Sequence, residues 1–126
     1  MKKIFLILFL LYTSIFADAI EWMEYDKALS ISKAENKTIM VMLSSTNCGV
    51  CKYMKDVVFK DKNIINEFNQ KFLAVYIELD FDDIPNDLEY MGTPTFYFLD
   101  KNEKKLHRLN GGRRAPGFLK MLNEIN

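Results

Sequence analysis

The sequence predicts a single α/β domain in which a central mixed β-sheet is flanked by helices. Three short runs are almost wholly apolar, as expected of strands buried on both faces of a sheet, and they span residues 38–43, 72–77 and 95–99. Segments in which apolar residues recur at helical spacing lie between and around these runs. Strands that alternate with helices in this way pack as a sheet covered on both sides.

The remaining elements follow from helical spacing, capping residues and turn formers. Asp61 is placed to cap a short helix, because an aspartate side chain accepts hydrogen bonds from the first free N–H groups of a helix. Gly111 and Gly112 break the chain before the last helix. In chain order these elements are a helix at 22–36, a helix from Cys48 to about 59, the helix after Asp61, a short helix after Pro85, a strand at 105–109 and a helix at 116–125.

Residues 1–19 have the three regions of a secretory signal peptide. Two lysines open the chain, an apolar run follows at 4–11 with a softer stretch at 12–16, and Ala17-Asp18-Ala19 fits the small-x-small cleavage rule. A membrane-spanning helix needs about 20 apolar residues, so an uncleaved anchor is the weaker alternative. We therefore assign 1–19 to the leader and 20–126 to the mature domain, and expect that domain in the bacterial periplasm, which is kept oxidising.

Length and charge exclude several classes of function. The chain has 126 residues, and after removal of the leader it is long enough for one domain with one core. Its 17 basic residues are balanced by 17 acidic ones, so no positive excess points to nucleic acid. The sequence contains no repeat and no low-complexity segment. We expect a compact, monomeric domain that binds no nucleic acid.

The two cysteines of the chain, Cys48 and Cys51, form a Cys-Gly-Val-Cys motif at a strand-to-helix junction. Two thiols three residues apart on the first turn of a helix can close and reopen a disulfide. The partial positive charge of a helix N-terminus favours the thiolate over the thiol, which makes a cysteine there reactive. Lys52 and Lys55 follow on what we expect to be a solvated helix face. The motif therefore predicts a redox site.

A pair of cysteines also occurs in three other kinds of site. A structural zinc site needs four ligands, and the chain offers one histidine, His107, and no second cysteine pair. Copper(I) is a better alternative because Met42 and Met54 are soft ligands near the pair, although methionines in apolar stretches usually fill the core. An inert structural disulfide would add little stability, because this spacing closes a very small loop. We predict neither a metal nor a cofactor.

The order of elements and two motifs resemble the thioredoxin-like family. The Cys-x-x-Cys motif comes directly after the first buried strand, and Gly92-Thr93-Pro94-Thr95 leads into the third. Within the family, the stretches 48–54, 58–59, 61–64 and 72–80 are similar to the group that includes the C-terminal domain of the membrane electron transporter DsbD. The resemblance covers nearly all of residues 20–126, which it identifies as a thioredoxin-like domain.

The resemblance implies a thiol-disulfide oxidoreductase. Cys48 would be the nucleophile that attacks a substrate disulfide, and Cys51 the resolving thiol that releases the product. Thr93 and Pro94 would bind the substrate strand, with Pro94 in the cis form facing the active-site disulfide. The neighbouring residues Gly49 and Val50 would set how well the Cys48 thiolate is stabilised.

The direction of the reaction depends on the potential and on the partners. Gly49 and Val50 bring no charge and no hydrogen-bonding side chain, so we expect a reducing to intermediate potential. This favours a periplasmic reductase of client protein disulfides, with apocytochrome c among its clients, recharged by a membrane electron donor of the DsbD type. The alternatives are an oxidase or isomerase on the same site, and a copper(I) carrier or chaperone whose cysteines do not turn over.

Two positions depart from the family pattern. Thioredoxins usually carry a buried aspartate six residues before the nucleophile, which takes the proton of the resolving thiol, and this chain has Met42 there. A tryptophan commonly precedes the nucleophile, and this chain has Asn47 there. Glu78 or Asp80, at the end of the next strand, would have to replace the missing proton acceptor.

Overall fold

The computed structural model describes residues 19–125, and within them a five-stranded mixed sheet carries helices on both faces. The strands are β1 (Trp22–Met23), β2 (Thr38–Ser44), β3 (Phe72–Glu78), β4 (Thr95–Leu99) and β5 (Lys105–Asn110). The helices are α1 (Tyr25–Glu35), α2 (Gly49–Asp56), α3 (Lys62–Lys71) and α4 (Ala115–Glu124), with single 3-10 turns at Val58–Lys60 and Pro85–Asp87. The predicted leader, residues 1–19, lies outside the described residues except for Ala19.

The strand order in the sheet is β1-β3-β2-β4-β5. β3 runs parallel to both β1 and β2, whereas β4 is antiparallel to both β2 and β5. Because β2 and β4 are antiparallel, the end of β2 lies beside the start of β4, with Leu43 opposite Thr95. The segment that follows β2 and the segment that precedes β4 therefore meet at one edge of the sheet.

Alternate residues of the three central strands pack into two separate cores, which confirms that these strands are buried on both faces. The core that α2, α3 and α4 cover contains Met40, Met42, Phe72, Ala74, Phe96 and Phe98. The core that α1 covers contains Ile39, Val41, Leu43, Leu73, Val75, Ile77, Tyr97 and Leu99. The cysteine motif lies on the first of these faces, because Cys51 and Met54 pack into that core.

The prediction of a helix from residue 22 was wrong for its first turn. Trp22 and Met23 are extended and pair with Ala74 and Val75 of β3, and α1 begins only at Tyr25. Backbone hydrogen bonding to a neighbouring strand overrides a local helical pattern, and no local signal marks a strand of two residues. This short strand completes the sheet on the β3 side.

The helix predicted from Cys48 to about 59 ends earlier, at Asp56. Val57 has φ −117° and ψ −64°, which ends the helix, and a 3-10 turn at Val58–Lys60 follows. Burial of Val58 and Phe59 in the core fixes this change of direction.

The other predicted elements are present, with bounds that differ by no more than three residues. His107 lies exposed in β5. Within residues 19–125, none of the helices has the length and apolar character needed to cross a membrane.

Asp61 caps α3 as predicted, and its removal is expected to destabilise the fold. Its Oδ1 accepts hydrogen bonds from the backbone N–H groups of Asn63 at 2.9 Å and Ile64 at 3.2 Å. Asp61→Ala leaves both donors without this partner and should lower the free energy of unfolding by about 1 kcal/mol. Urea denaturation measures this, with Lys62→Ala at the next, exposed position as the matched control. An unchanged midpoint for Asp61→Ala would contradict the capping role.

Candidate active site

The cysteine motif is held at the junction between β2 and α2. Cys48 is the N-cap of α2 and has extended backbone angles, while Asn47 before it has a φ of 61°. Asparagine tolerates this left-handed conformation better than most residues, so Asn47 turns the chain from the strand into the helix. Cys48 and Cys51 form a disulfide, with their Cα atoms 5.3 Å apart.

The two sulfurs have different surroundings. Cys48 Sγ accepts a hydrogen bond from the backbone N–H of Cys51 at 3.1 Å, and Cys48 is half-buried. Cys51 is only 3% exposed and packs in the same core as Met42 and Met54, which are fully buried. The N–H donor and the helix N-terminus both favour negative charge on Cys48 when the disulfide opens. The two methionines fill the core, as expected.

Thr93 and Pro94 lie at the same edge of the sheet as the cysteine motif. They come just before β4, and the Thr93–Pro94 peptide bond is cis. The hydroxyl groups of Ser45 and Thr93 are 2.6 Å apart, so a hydrogen bond joins the loop that carries the cysteines to the loop before β4. Pro94 itself is buried. The structure therefore brings together Thr93, Pro94 and the cysteine pair, which are more than 40 residues apart in sequence.

Gly49 and Val50 differ in their contacts. Gly49 is exposed, with open space where a side chain would project. Val50 is 47% exposed, and a methyl group at Gly112 would come within 2.6 Å of Val50 Cγ1. The segment before α4 therefore packs directly against the motif, and a larger residue at position 112 would have to displace Val50 or Met54. In the sequence this glycine indicates only a chain break, because the contact joins residues distant in the chain.

A cavity of about 650 Å³ opens on the β3 side of the disulfide. Its lining includes Cys48, Cys51, Ser44, Lys55 and Tyr76. The Tyr76 hydroxyl donates a hydrogen bond to Ser44 Oγ at 2.8 Å. Burial raises the pKa of Tyr76 above its usual value of 10.0, so its hydroxyl keeps its proton at neutral pH.

The expectation that Lys55 lies on a solvated face was wrong. Its Nζ lies 4.1 Å from the centroid of the Tyr76 ring and 5.7 Å from that of Trp22. An ammonium group over an aromatic face is attracted by the negative charge of the ring face. The cation–π contact therefore holds Lys55 at the wall of the cavity, while Lys52 is exposed as expected.

Asp80 is one of the two acids expected to replace the missing aspartate as proton acceptor. Its carboxylate instead accepts hydrogen bonds from the loop that carries the cysteines. Its Oδ2 accepts from the Thr46 backbone N–H at 2.9 Å and from the Thr46 hydroxyl. The side-chain hydrogen bond, followed by the backbone one, holds the pKa of Asp80 below its usual 3.8. Asp80 is exposed and fixes Thr46, two residues before Cys48.

Comparison with known proteins assigns the fold to a family. Residues 25–126 match the family model described as a thioredoxin-like domain. The chain belongs to the thioredoxin-like family. The solved thioredoxin of Thermus thermophilus superposes with a TM-score of 0.74 at 27% identity, covering 84% of this chain and 86% of that one. The predicted family and α/β fold are confirmed.

The similarity to DsbD is also confirmed. The thiol:disulfide interchange protein DsbD of Pseudoalteromonas atlantica is 24% identical over 103 residues, which are 76% of this chain and only 16% of that protein. The C-terminal domain of Neisseria meningitidis DsbD, solved in its oxidised form, shares the fold. Its TM-score is 0.65 at 13% identity, over 80% of this chain and 91% of the domain.

Family and cysteine geometry together define the general activity. This is a thioredoxin-like thiol-disulfide oxidoreductase, with its Cys-x-x-Cys pair at disulfide distance. In residues 19–125, no three His, Cys, Asp or Glu side chains converge in the geometry of a metal site.

The Asp80–Thr46 contact predicts a pH-dependent contribution to stability. Folding lowers the pKa of Asp80, so the ionised carboxylate adds to the free energy of unfolding. This stabilisation is complete above the usual pKa of 3.8, and it is lost as the pH falls through the lowered pKa of the folded state. Asp80→Ala should therefore lower the urea midpoint equally at pH 7 and pH 5. The difference from the unsubstituted protein should shrink only below pH 3.8.

Asp83→Ala is the matched control, since Asp83 is an exposed acid in the loop that follows Asp80. A midpoint difference for Asp80→Ala that stays constant down to pH 3, or one that Asp83→Ala reproduces, would contradict the role given to this carboxylate.

Proposed function

We propose that this protein is a periplasmic reductase of disulfides in client proteins, with Cys48 as the nucleophile and Cys51 as the resolving thiol. The observation that carries the proposal is the difference between the two sulfurs. Cys48 is half-buried at the N-cap of α2, with an N–H donor 3.1 Å from its sulfur, whereas Cys51 is 3% exposed. An external disulfide can approach the first sulfur far more easily than the second.

The reaction follows from this asymmetry. The Cys48 thiolate attacks one sulfur of the client disulfide and forms a mixed disulfide, while the other client sulfur leaves as a thiolate. Cys51 then attacks Cys48 Sγ, closes the intramolecular disulfide and releases the second client sulfur. The 5.3 Å between the two Cα atoms is within the range that a disulfide needs.

Thr93 and Pro94 are proposed to bind the client strand. They precede β4 at the edge where the cysteines lie, and the Ser45–Thr93 hydrogen bond keeps the two loops in contact. An extended peptide laid against such a segment is held mainly by main-chain hydrogen bonds, which suits a protein that must accept many sequences. Val50, half-exposed beside Cys48, and Gly49 would contact the client next to its cysteine.

The direction and the partners are part of the proposal. Gly49 and Val50 bring neither charge nor a hydrogen-bonding side chain, which favours a reducing couple over a strongly oxidising one. The relative named as an interchange protein, DsbD, supports recharging by a membrane electron donor of that type. The signal-peptide pattern of residues 1–19 supports a periplasmic site, where clients would include apocytochrome c.

Trapping of the mixed disulfide tests the roles of the two cysteines. In Cys51→Ala, Cys48 attacks but nothing resolves the intermediate, so incubation of the reduced variant with insulin should accumulate a covalent adduct at Cys48. Cys48→Ala should accumulate much less, because Cys51 is buried. Mass spectrometry of the alkylated products identifies the adduct and its position.

Lys62→Ala, at an exposed position of α3, keeps both cysteines and serves as the control that should release insulin chains without a lasting adduct. If Cys48→Ala traps insulin and Cys51→Ala does not, the assignment of the two roles is reversed. If neither variant forms an adduct while the unsubstituted protein leaves insulin intact, the proposed activity is wrong.

A further inference from the structure

The proposed function, on which this inference rests, requires a group that accepts the proton of Cys51 during the resolving step. Cys51 must lose its proton to attack Cys48, yet it lies 3% exposed beside the buried side chains of Met42 and Met54. Burial in apolar surroundings disfavours a thiolate, so a nearby acceptor would speed the step. Met42 of β2, which packs in the same core as Cys51, has no group that accepts a proton.

Glu78 lies on the sheet face that leads to this site. The β2–β3 register places Met42 opposite Tyr76 and Ser44 opposite Glu78. Since side chains alternate along a strand, Tyr76 and Glu78 project from the same face of β3, the face that α2 covers. Tyr76 is the residue opposite Met42, and Glu78 is the next residue after Tyr76 on this face of β3.

The carboxylate of Glu78 is only partly used by the fold. Its Oε2 lies 3.4 Å from the Tyr76 hydroxyl oxygen, and its Oε1 is buried and has no hydrogen-bond partner among residues 19–125. A buried carboxylate oxygen without a partner is costly, and such groups are uncommon unless they serve a function. The carboxylate therefore has capacity for a further hydrogen, and the Tyr76 hydroxyl reaches it at Oε2.

The cavity on the β3 side connects Cys51 with Tyr76, whose hydroxyl lies beside Glu78. The cavity, about 650 Å³, is lined by both Cys51 and Tyr76, so the thiol and the tyrosine ring border one space. A polar cavity of this size holds water, which can pass a proton from a thiol to a hydroxyl. The Tyr76 hydroxyl carries one proton, which it can donate either to Ser44 Oγ at 2.8 Å or to Glu78 Oε2 at 3.4 Å, and it thereby connects that space to the carboxylate.

The other charged groups nearby are less suited to accept the proton. Asp80 is exposed and committed to Thr46, and Asp82 accepts from the backbone N–H of Glu78 at 2.8 Å. The ammonium of Lys55 is held over the Tyr76 ring and carries no free electron pair to accept a proton. The remaining charged groups of α2 at the cavity are Lys52, which is also a cation, and Asp56, whose carboxylate lies on an exposed side chain and has no need of a proton from the site.

We propose that Glu78 accepts the proton of Cys51 in the resolving step, through the Tyr76 hydroxyl and water in the cavity. The Cys51 thiol gives its proton to Glu78, and its sulfur forms a bond to Cys48 Sγ. The bond between Cys48 Sγ and the client sulfur breaks, and the client leaves as a thiolate. Two electrons pass from the dithiol to the client, and the proton on Glu78 then returns to solvent or to the departing thiolate.

Stopped-flow reaction of the reduced protein with 5,5′-dithiobis(2-nitrobenzoate) separates the two steps. The first release of coloured thiolate reports attack by Cys48, and the second reports resolution by Cys51. Glu78→Gln should leave the first phase unchanged and slow the second by about tenfold or more at pH 6. Its second phase should recover as the pH rises, because the thiol then ionises without the acceptor.

Tyr76→Phe keeps Glu78 but removes the hydroxyl beside it, so it should also slow the second phase at pH 6. If Glu78→Gln does not fold, Tyr76→Phe tests the proposal on its own. Asp83→Asn, at an exposed acid in the loop after β3, is the matched acidic control and should leave the pH profile of the second phase unchanged. An unchanged profile in Glu78→Gln and Tyr76→Phe, or a shift produced by Asp83→Asn instead, would overturn the proposal. Absence of a second phase in the unsubstituted protein would instead contradict the proposed function.

Discussion

The whole site depends on one junction, at which the central strand β2 ends and helix α2 begins. β2 is hydrogen-bonded on both sides, to β3 and to β4, so its last residue has a fixed position. Asn47 then turns the chain in a left-handed conformation, and Cys48 becomes the N-cap of α2. The first turn of the helix points the N–H of Cys51 at Cys48 Sγ and carries Cys51 into the core. Reactivity and burial of the two sulfurs thus follow from the same backbone geometry.

The two neighbours of β2 place different chemistry on the two sides of the disulfide. On the β4 side, Thr93 and Pro94 lie at the same edge of the sheet as the cysteines, and a hydrogen bond between Thr93 and Ser45 joins their loop to the cysteine loop. On the β3 side, the cavity is lined by Cys51 and carries the polar groups Ser44 and Tyr76. The proposed binding of a client and the proposed transfer of a proton therefore use different neighbours of β2. A strand order with β2 in the centre is what makes this separation possible.

Much of the fold could be predicted because the signals are local. Continuous apolar runs mark the three central strands, and Asp61 marks the start of α3. The strand at Trp22–Met23 could not be predicted, since only pairing with β3 distinguishes two extended residues from the first turn of a helix. In the site, the cysteine motif and Thr93-Pro94 were visible in the sequence. The roles of Lys55, Tyr76 and Gly112 were not, because a cation–π contact, a strand register and a close approach depend on residues distant in the chain.

The reduction potential of the Cys48–Cys51 couple tests the central claim most directly. Equilibration of the purified mature protein in glutathione or dithiothreitol buffers, followed by quantification of the oxidised fraction, gives this value. For a reductase fed by a membrane donor we expect a potential near or below about −230 mV, in the range of thioredoxin and the glutaredoxins. A potential of about −120 to −180 mV, in the range of the strong oxidants and the isomerases, would contradict the reductase assignment and make oxidation or isomerisation of client disulfides the function of this site.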